Sequence, residues 1–465
     1  MRKSAALLAL LATGCATMQP TYVRPDSAVP ASWPTGDAYL RQTEATLPAV
    51  TYRDIFRDPR LQALIERALV NNRDLAVAAA NIAAAREQVR IQRANQLPQL
   101  DAGGSVDATG SGSDASARYQ VGLSVPSFEL DLFGRLRSLT DVQRNRYFAT
   151  EAAARATRLA LVSDVATAWL NYAADASLLR IAQDTVTSAE KSVKLTRARL
   201  EGGIAPRTDL RQAEQILEGA KADAADQRTA LAQDVNLLRL LIGAEIDPKL
   251  LPASIDQAAP TVAELPAGLD SQVLLRRPDV VEAEYQLRAA NAQIGAARAA
   301  LFPRISLTGL LGLASTALGS LFSGGAFAWS AGGDASYTIF QAGAGRANVR
   351  LTEAQRAAAV ATYQKTIQTA FREVSDALAR RGTIGEQLRA RQAQQAAAAD
   401  TYLLTEARYR NGIDSFLGSL DAQRSYYSAQ RTLVLSRLQA ATNLVDLYRS
   451  LGGDSLLTSA EAAPR

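Results

Sequence analysis

The chain has 465 residues, a formal net charge of +5, no histidine and a single cysteine, Cys15. The missing histidine removes the commonest general base and metal ligand, one cysteine excludes a disulfide within the chain, and two methionines cannot build a soft-metal site. Because the charge is nearly balanced and spread along the chain, composition gives no support for a nucleic-acid partner, and we expect no cofactor.

The first residues are typical of a secretion signal. Arg2 and Lys3 precede an apolar run at residues 5–12, and Gly14-Cys15 then resembles the end of a bacterial lipobox. We therefore predict a signal peptide at residues 1–14 and an acylated Cys15; an ordinary signal peptide is the alternative. Because alanine follows the cysteine, the expected location is the Gram-negative outer membrane, with a large periplasmic portion. Acyl chains would tether a body that is already folded.

Long helices are predicted after an extended strap. Residues 15–58 carry five prolines, which favours a lipidated strap over a packed domain. Residues 60–97 lack glycine and proline and predict one helix. Residues 135–201 predict a second helix, about 100 Å long at 1.5 Å per residue, and residues 207–242 predict a third. Their leucine and valine spacing favours coiled-coil-like pairing.

The most informative feature is a duplication. Residues 74–98 reappear at 279–303, a spacing of 205, and residues 195–213 reappear at 404–422, a spacing of 209. A period this long exceeds any solenoid unit and marks a duplicated half-protein.

The duplication gives the predicted domain layout. Each repeat contains a helix, two strands, a long helix and a return helix. In the second repeat we expect helices at residues 279–302, 346–411 and 413–451, with a local break near Gly382 and Gly385. The predicted segments are a first repeat at 59–242, a linker at 243–270, a second repeat at 271–451 and a tail at 452–465.

Each copy interrupts its helices with a pair of alternating segments, at about residues 99–126 and 304–340. Val121, Leu123 and Val125 alternate with small or polar residues, as in a transmembrane β-barrel, although a soluble hairpin has the same pattern. Residues 305–333 carry no charge and also suit a transmembrane helix. The alignment of Pro303 with Pro98 favours a hairpin, because charged residues follow Pro98.

Four strands cannot close a barrel, and an open sheet edge in lipid leaves backbone groups unpaired. If the strands enter a membrane, several chains must therefore share one barrel. A dimer, a trimer and a tetramer all satisfy this condition.

Several segments resemble the outer membrane efflux protein family, the TolC-like outer-membrane factors, and are nearest to the OprM/NodT-type lipoprotein branch. The resemblance covers nearly the whole chain. The segments are Gln-Val-Leu-Leu-Arg-Arg-Pro-Asp-Val at 272–280, Ala-Ala-Asn-Ala at 289–292, Phe-Pro-Arg-Ile at 302–305, Leu-Thr-Gly at 307–309, Glu-Leu-Asp-Leu-Phe-Gly-Arg at 129–135 and Leu-Asp-Ala-Gln-Arg at 420–424.

The resemblance implies an α+β membrane protein that is a homotrimer. Each chain would contribute four strands to a twelve-stranded β-barrel in outer-membrane lipid, continued by a twelve-helix periplasmic α-barrel tunnel. The implied function is a passive exit duct for drugs or other small toxic compounds. The implied partners are a periplasmic adaptor (membrane fusion protein) and an inner-membrane pump of the RND type.

The resemblance also implies functional residues at the two turns between the long and return helices. Gly203 and Gly412 are equivalent in the repeat and suit the positive φ that ends a helix. An ordinary helix cap is the simpler reading; the resemblance adds that these glycines, with Ile204 and Ile413, contact the adaptor at the periplasmic tip.

A gate and a lock are implied beside these turns. Leu417 and Asp421, one helical turn apart, correspond to apolar and acidic rings that narrow the channel. Thr208, Asp209 and Tyr409 match a hydrogen-bonded lock. Two positions depart from the family: Gly418 replaces an acidic residue, and Asp414 stands where the lock has an arginine. Arg199, Arg207 and Arg410 are the candidate replacements.

Two other functions compete with the duct. An enzyme lacks support, because the chain has neither histidine nor a nucleophile motif in the required strand–turn–helix setting, and we predict none. A structural or adaptor coiled-coil lipoprotein would share the helices and Cys15, but would not need two symmetric strand pairs.

Overall fold

The computed structural model describes residues 17–26, 29–30, 32–34, 36, 39, 51–111, 114–263 and 271–453. Cys15 and the predicted signal peptide lie outside the described residues. The described chain forms two compact units. The first comprises residues 1–26, 79–152 and 281–366, and the second comprises residues 27–78, 153–280 and 367–465.

Nine α-helices and four strands make up the described part of the chain, joined by short 3-10 turns. In chain order they are α1 (Tyr52–Ile55), α2 (Pro59–Asn71), α3 (Arg73–Ala94), β1 (Asp101–Ser111), β2 (Asp114–Glu129), α4 (Arg135–Glu201), α5 (Arg207–Ile242), α6 (Ile255–Ala258), α7 (Pro278–Ala299), β3 (Arg304–Ser315), β4 (Phe327–Ser336), α8 (Ala344–Arg410) and α9 (Phe416–Ser450). Among the described helices, none has a stretch long and apolar enough to cross a membrane.

The helix predicted over residues 60–97 is wrong as a single element, because it is divided at Asn72. The backbone of Asn72 is extended, with φ −61° and ψ 135°. Its side-chain oxygen accepts a hydrogen bond from the Leu75 N–H (3.1 Å), and its amide donates to the Leu241 carbonyl (2.8 Å). Asn72 therefore caps α3 while it binds the end of α5, a tertiary contact that local sequence does not reveal.

The two long helices, α4 and α8, each run for 67 residues. The bounds of α4 and α5 agree with the prediction. The break expected at Gly382 and Gly385 is wrong, because α8 is continuous through both. A glycine costs a helix only about 1 kcal/mol relative to alanine, and Ile384 between them is 3% exposed. Packing of this turn outweighs the weak local preference.

The four strands form one antiparallel sheet in the order β1-β2-β3-β4. Both predicted strand pairs are present, so residues 305–333 do not form a helix, and β4 ends at Ser336 rather than Phe340. The register places Leu123 opposite Leu311 and Leu311 opposite Trp329. These three side chains share one face and are exposed by 44%, 53% and 70%. The sheet therefore presents an uncovered apolar face.

The other face of the sheet carries small residues that allow close approach. Gly122 pairs with Gly103 on one side and Gly312 on the other. A Cβ added to Gly122 would lie 2.7 Å from the Gly312 Cα, so no larger residue fits without displacing the backbone. β1 and β4 are the edge strands, and the outer edge of each has no partner strand within the described chain.

Residues 17–26 of the strap bind within the first unit. Asn291 donates to the Pro20 carbonyl (2.8 Å), Gln19 donates to Asp141 (3.0 Å), and Arg24 pairs with Glu284 (2.7 Å). Burial favours the neutral form of Glu284, but hydrogen bonds from Arg288 and Arg24 hold the pKa of this carboxyl below its usual value. The strap is thus fastened by polar contacts.

Candidate functional site

The ends of four helices meet around one small hydrophobic cluster in the second unit, which we call the tip core. It joins the C-terminal ends of α4 and α8 to the N-terminal ends of α5 and α9, and its most buried large side chains are Leu420 (1% exposed) and Phe416 (4% exposed). The members of the tip core are Ala189, Val193, Leu210, Ala213, Leu217, Tyr409, Phe416 and Leu420. This core fixes the two predicted turns relative to each other.

The two turns have the same backbone structure. Gly203 and Gly412 have φ of 74° and 75°. Ile204 N–H donates to the Arg199 carbonyl and Ile413 N–H donates to the Arg408 carbonyl, both at 2.9 Å, while each glycine N–H bonds three residues back. These paired bonds are Schellman motifs, which satisfy the last carbonyls of a helix. They also explain why α9 begins at Phe416 rather than at residue 413.

The two isoleucines that follow these glycines face outward. Ile204 is 77% exposed and Ile413 is 63% exposed. The apex of each turn thus carries one exposed branched apolar side chain.

The equivalent arginines of the two turns bind different partners. Arg199 donates to the carbonyls of Tyr409 and Arg410, both at 3.1 Å, and its guanidinium lies 4.4 Å from the centroid of the Tyr409 ring. Arg408 instead forms two hydrogen bonds, of 2.6 and 3.0 Å, with Asp414. The pKa of Asp414 is lowered by these bonds from Arg408. Arg199 therefore crosses between α4 and α8, whereas Arg408 stays within its own turn.

The predicted lock residues are only partly brought together. The Tyr409 side chain is 5% exposed and packs against Phe416, with ring centroids 5.2 Å apart. Its buried hydroxyl has no hydrogen-bond partner within the described chain, so no bond joins it to Thr208 or Asp209. Burial raises the pKa of Tyr409, opposed by Arg199 and assisted by Asp209. Of the three candidate replacement arginines, Arg199 is the one that contacts Tyr409.

The predicted gate residues lie on the face of α9 that points away from the tip core. Leu417 is 61% exposed and Asp421 is exposed, while their neighbours Phe416 and Leu420 are buried. Gly418 lies on the same exposed face. Asp421 forms no ion pair or hydrogen bond with any other side chain that the structure describes. An apolar and an acidic side chain are thus free to face another molecule.

Sequence reasoning missed two features that organise the tip, one aromatic side chain and one ion pair. The sequence does not predict a role for Phe416. The first copy has Arg207 at the equivalent position, so the repeat shows no apolar residue there. The Arg408–Asp414 pair was also missed, although the appearance of Asp414 where the first copy has Ala205 was a readable signal. Within the described residues, no group of acidic side chains is arranged to hold a metal ion.

Comparisons with known proteins agree with this architecture. A model of outer membrane efflux proteins matches the chain twice, at residues 64–244 and 269–453. A toluene efflux pump outer membrane protein, TtgC, of Pseudomonas putida is 45% identical over 461 residues, which cover 97% of this chain and 95% of the relative. An antibiotic efflux pump outer membrane protein, ArpC, of Pseudomonas putida gives the same identity and the same coverage.

A solved structure shows the same fold. The open state of the Neisseria gonorrhoeae MtrE outer membrane channel is 36% identical, with a TM-score of 0.83 over 94% of this chain and 98% of that one. The duplicated helices and the four-stranded sheet therefore define a protein of the TolC-like outer-membrane channel class. The chain belongs to the outer membrane efflux protein family.

Proposed function

We propose that this protein is the outer-membrane exit duct of a tripartite efflux pump. A homotrimer would conduct small toxic compounds passively from the periplasm to the exterior, after docking with a periplasmic adaptor and an inner-membrane pump of the RND type. The relatives named for toluene efflux and for antibiotic efflux support small toxic compounds as the cargo. The pump, not the duct, would choose among such compounds.

The observation that carries the proposal is the sheet with one uncovered apolar face and two unpaired edges. An apolar face suits lipid, but free edges in lipid cost several kcal/mol for each unpaired backbone group. Closure with the strands of other copies removes both edges. The small residues on the opposite face, such as Gly122 and Gly312, would then line the interior.

A lipid anchor at Cys15 fits the path of the strap. Thr17 lies against Gly134, because a Cβ added to Gly134 would be 2.9 Å from the Thr17 Cα. Gly134 follows the end of β2 at Glu129 by five residues. An acyl chain on Cys15 would therefore enter the bilayer beside the strand ends. Radiolabelled palmitate should label the parent protein but not Cys15→Ser, and a labelled Cys15→Ser would contradict the anchor.

The two turns are the proposed adaptor contacts. Gly203 and Gly412 hold identical backbone geometry, and Ile204 and Ile413 project from it. Thr208, Asp209 and Tyr409 remain the proposed lock, with Arg199 holding Tyr409 in place. The adaptor would bind these turns and separate the helix ends.

The proposed gate is formed by Leu417 and Asp421 from each protomer. Three apolar side chains would narrow the axis, and three carboxylates would favour cations and repel one another. Asp421→Ala and Leu417→Ala should each raise single-channel conductance in a planar bilayer while the trimer remains intact. Gln212→Ala is the matched control, because Gln212 is the first-copy counterpart of Asp421 and should leave conductance unchanged. Parent-like conductance in both gate variants would contradict this assignment.

Gels and bilayer recordings of the same purified protein distinguish an exit duct from a structural coiled-coil lipoprotein. A duct should run as a heat-modifiable trimer on unboiled gels and show unit conductance steps in a bilayer. A trimer without conductance steps, even with both gate residues replaced, would favour the structural alternative.

A further inference from the structure

A cavity of about 560 Å³ lies in the second unit, where the linker between the two copies packs on α8 and α9. It is lined by Arg57 and by side chains from residues 255–263 of the linker, 381–392 of α8 and 437–444 of α9. We call it the linker cavity. It shares no residue with the tip core. Its volume falls within the range of small-molecule sites, about 300–1,000 Å³.

Backbone hydrogen bonds hold the linker wall of this cavity in place. The Arg57 N–H donates to the Thr261 carbonyl at 2.9 Å, and the Ala263 N–H donates to the Ile55 carbonyl at 2.7 Å. The linker is thereby tied to the chain segment that follows α1. Since these bonds are already formed, a ligand entering the linker cavity would not have to order this wall.

Much of the lining is apolar. The side chains of Ile255, Val262, Ala441 and Leu444 are buried, and Leu388 is half-buried beside them in the lining. Apolar walls of this kind enclose the hydrocarbon part of a ligand and withdraw its surface from water. The linker cavity therefore suits a ligand that has an apolar body.

The charged part of the lining is mainly positive. Arg57, Arg381 and Arg437 contribute to it, and Asp256 is the one carboxylate among the lining residues that the structure describes. Arg437 donates a hydrogen bond to Asp256, and Arg180 of α4 lies 4.0 Å from the same carboxylate. One carboxylate cannot neutralise this many guanidinium groups. Because apolar walls of low dielectric focus the field, the excess positive charge attracts anions.

This concentration of arginine is not a product of the duplication. At the spacing of 209 residues, Arg381 corresponds to Tyr172 and Arg437 corresponds to Arg228. Arg228 is exposed, whereas Arg437 is half-buried against Asp256. The helical fold is common to both copies, so the fold alone does not require the positive charge that the second copy gathers here.

We propose that the linker cavity binds a small amphipathic organic anion, an acid group carried on an apolar body. Arg57 and Arg437 donate charge-assisted hydrogen bonds to the acid group, and the buried side chains of Ile255 and Leu444 contact the apolar body. The bound anion joins the segment after α1 to α9. This site goes beyond the exit duct and does not depend on the proposed gate, lock or trimer.

Equilibrium dialysis with 2-naphthoate tests the site. The full-length protein is used in lipid nanodiscs, and empty nanodiscs correct for probe that enters the lipid. The probe is ionised at pH 7 and should bind saturably, with one molecule per chain. Two related probes separate the two halves of the argument. The neutral amide 2-naphthamide has the ring without the charge, acetate has the charge without the ring, and each should bind about tenfold more weakly or worse.

Substitutions locate the bound probe. Arg57→Gln and Arg437→Gln should each weaken 2-naphthoate binding about tenfold, the effect of one lost charge-assisted hydrogen bond. Arg228→Gln is the matched control and should bind the probe like the parent protein. Ala440→Leu introduces the residue that the first copy has at Leu231. It should weaken binding by filling the linker cavity without any change of charge.

Three results would each overturn the proposal. They are no saturable binding to the parent protein, equal affinity for 2-naphthoate and 2-naphthamide, and parent-like binding by both arginine variants. The last result would place the probe elsewhere on the protein. If Arg437→Gln fails to fold by circular dichroism, Arg57→Gln and Ala440→Leu decide the location, because neither residue is buried. Conductance does not enter these measurements, so a failure here leaves the proposed exit duct intact.

Discussion

The two turns at the tip share one backbone conformation but differ in the contacts that their side chains make. Both end a long helix with the same Schellman motif at glycines whose φ values differ by one degree. Yet Arg199 reaches across to α8, while its counterpart Arg408 is held by Asp414 within its own turn. The two copies share the glycine and its positive φ. The residues that differ between the copies determine which of the two turns connects the long helices.

The largest difference in stability between the two turns is expected to come from Phe416. Phe416→Ala removes a 4% exposed ring from the tip core and should destabilise the tip by about 3 kcal/mol through lost burial and a cavity. Arg207→Ala, at the equivalent position of the first copy, should cost less than about 0.5 kcal/mol. Hydrogen exchange of the tip peptides measures both. Equal exchange in the two variants would contradict the asymmetry.

A smaller effect is expected from the arginines. Arg199→Gln loses a cation–π contact and hydrogen bonds to two helix-terminal carbonyls, which should cost about 1–2 kcal/mol of tip stability. Arg408→Gln breaks only a solvent-exposed pair and should leave exchange of α4 unchanged. If Arg408→Gln increased hydrogen exchange at the end of α4 as strongly as Arg199→Gln, the connection between α4 and α8 would not be specific to the arginine of the first copy.

Glycine substitutions should affect the two turns alike. A Cβ added to Gly203 or Gly412 meets nothing within 4 Å, so the cost of Gly203→Ala or Gly412→Ala comes from positive φ alone, about 1 kcal/mol each. Gly219→Ala, within α5 and equally free of contacts, should instead stabilise the protein by about 0.5 kcal/mol. Thermal unfolding of the three variants should show opposite signs. A stabilising Gly412→Ala would refute the shared geometry.

The smallest predicted effect is a pH dependence of the folding stability. Burial and the neighbouring Asp175 raise the pKa of Asp234 to about 7. The folded protein then binds more protons than the unfolded chain between the ordinary carboxyl pKa and pH 7. The contribution of Asp234 to stability should therefore be largest below the ordinary carboxyl pKa and should be lost as the pH rises through this window. The second copy has Ile384 and Asn443 at these positions, both buried.

Asp234→Asn makes the first copy resemble the second at this site. The variant should raise the melting temperature at pH 8 and leave it unchanged near pH 4, with a stability gain of about 1 kcal/mol or less because water screens a half-exposed pair. Asn443→Asp is the reverse test and should lower stability at pH 8. A pH-independent gain in Asp234→Asn would show that the carboxyl pair does not titrate as described.

Local sequence predicted those elements whose stability comes from their own residues. The bounds of α4 follow from an uninterrupted run without glycine or proline, those of α5 follow from a run interrupted only by Gly219, and the strands follow from period-two alternation. The glycines of both turns were also found, because positive φ is a local requirement. In each of these cases the physical cause lies within a few residues of its effect.

The tertiary structure decided what depends on partners distant in sequence. Asn72 ends α2 because it binds the carbonyl of Leu241, and α8 continues through Gly382 because that turn is packed. Phe416 and Arg199 organise the tip through contacts between the copies. The duplication can be read from the sequence, but only the packed structure shows that α7 buries Leu287 and Ile294 whereas α3 buries none of its residues. Burial depends on the neighbours of a residue and not on the residue alone.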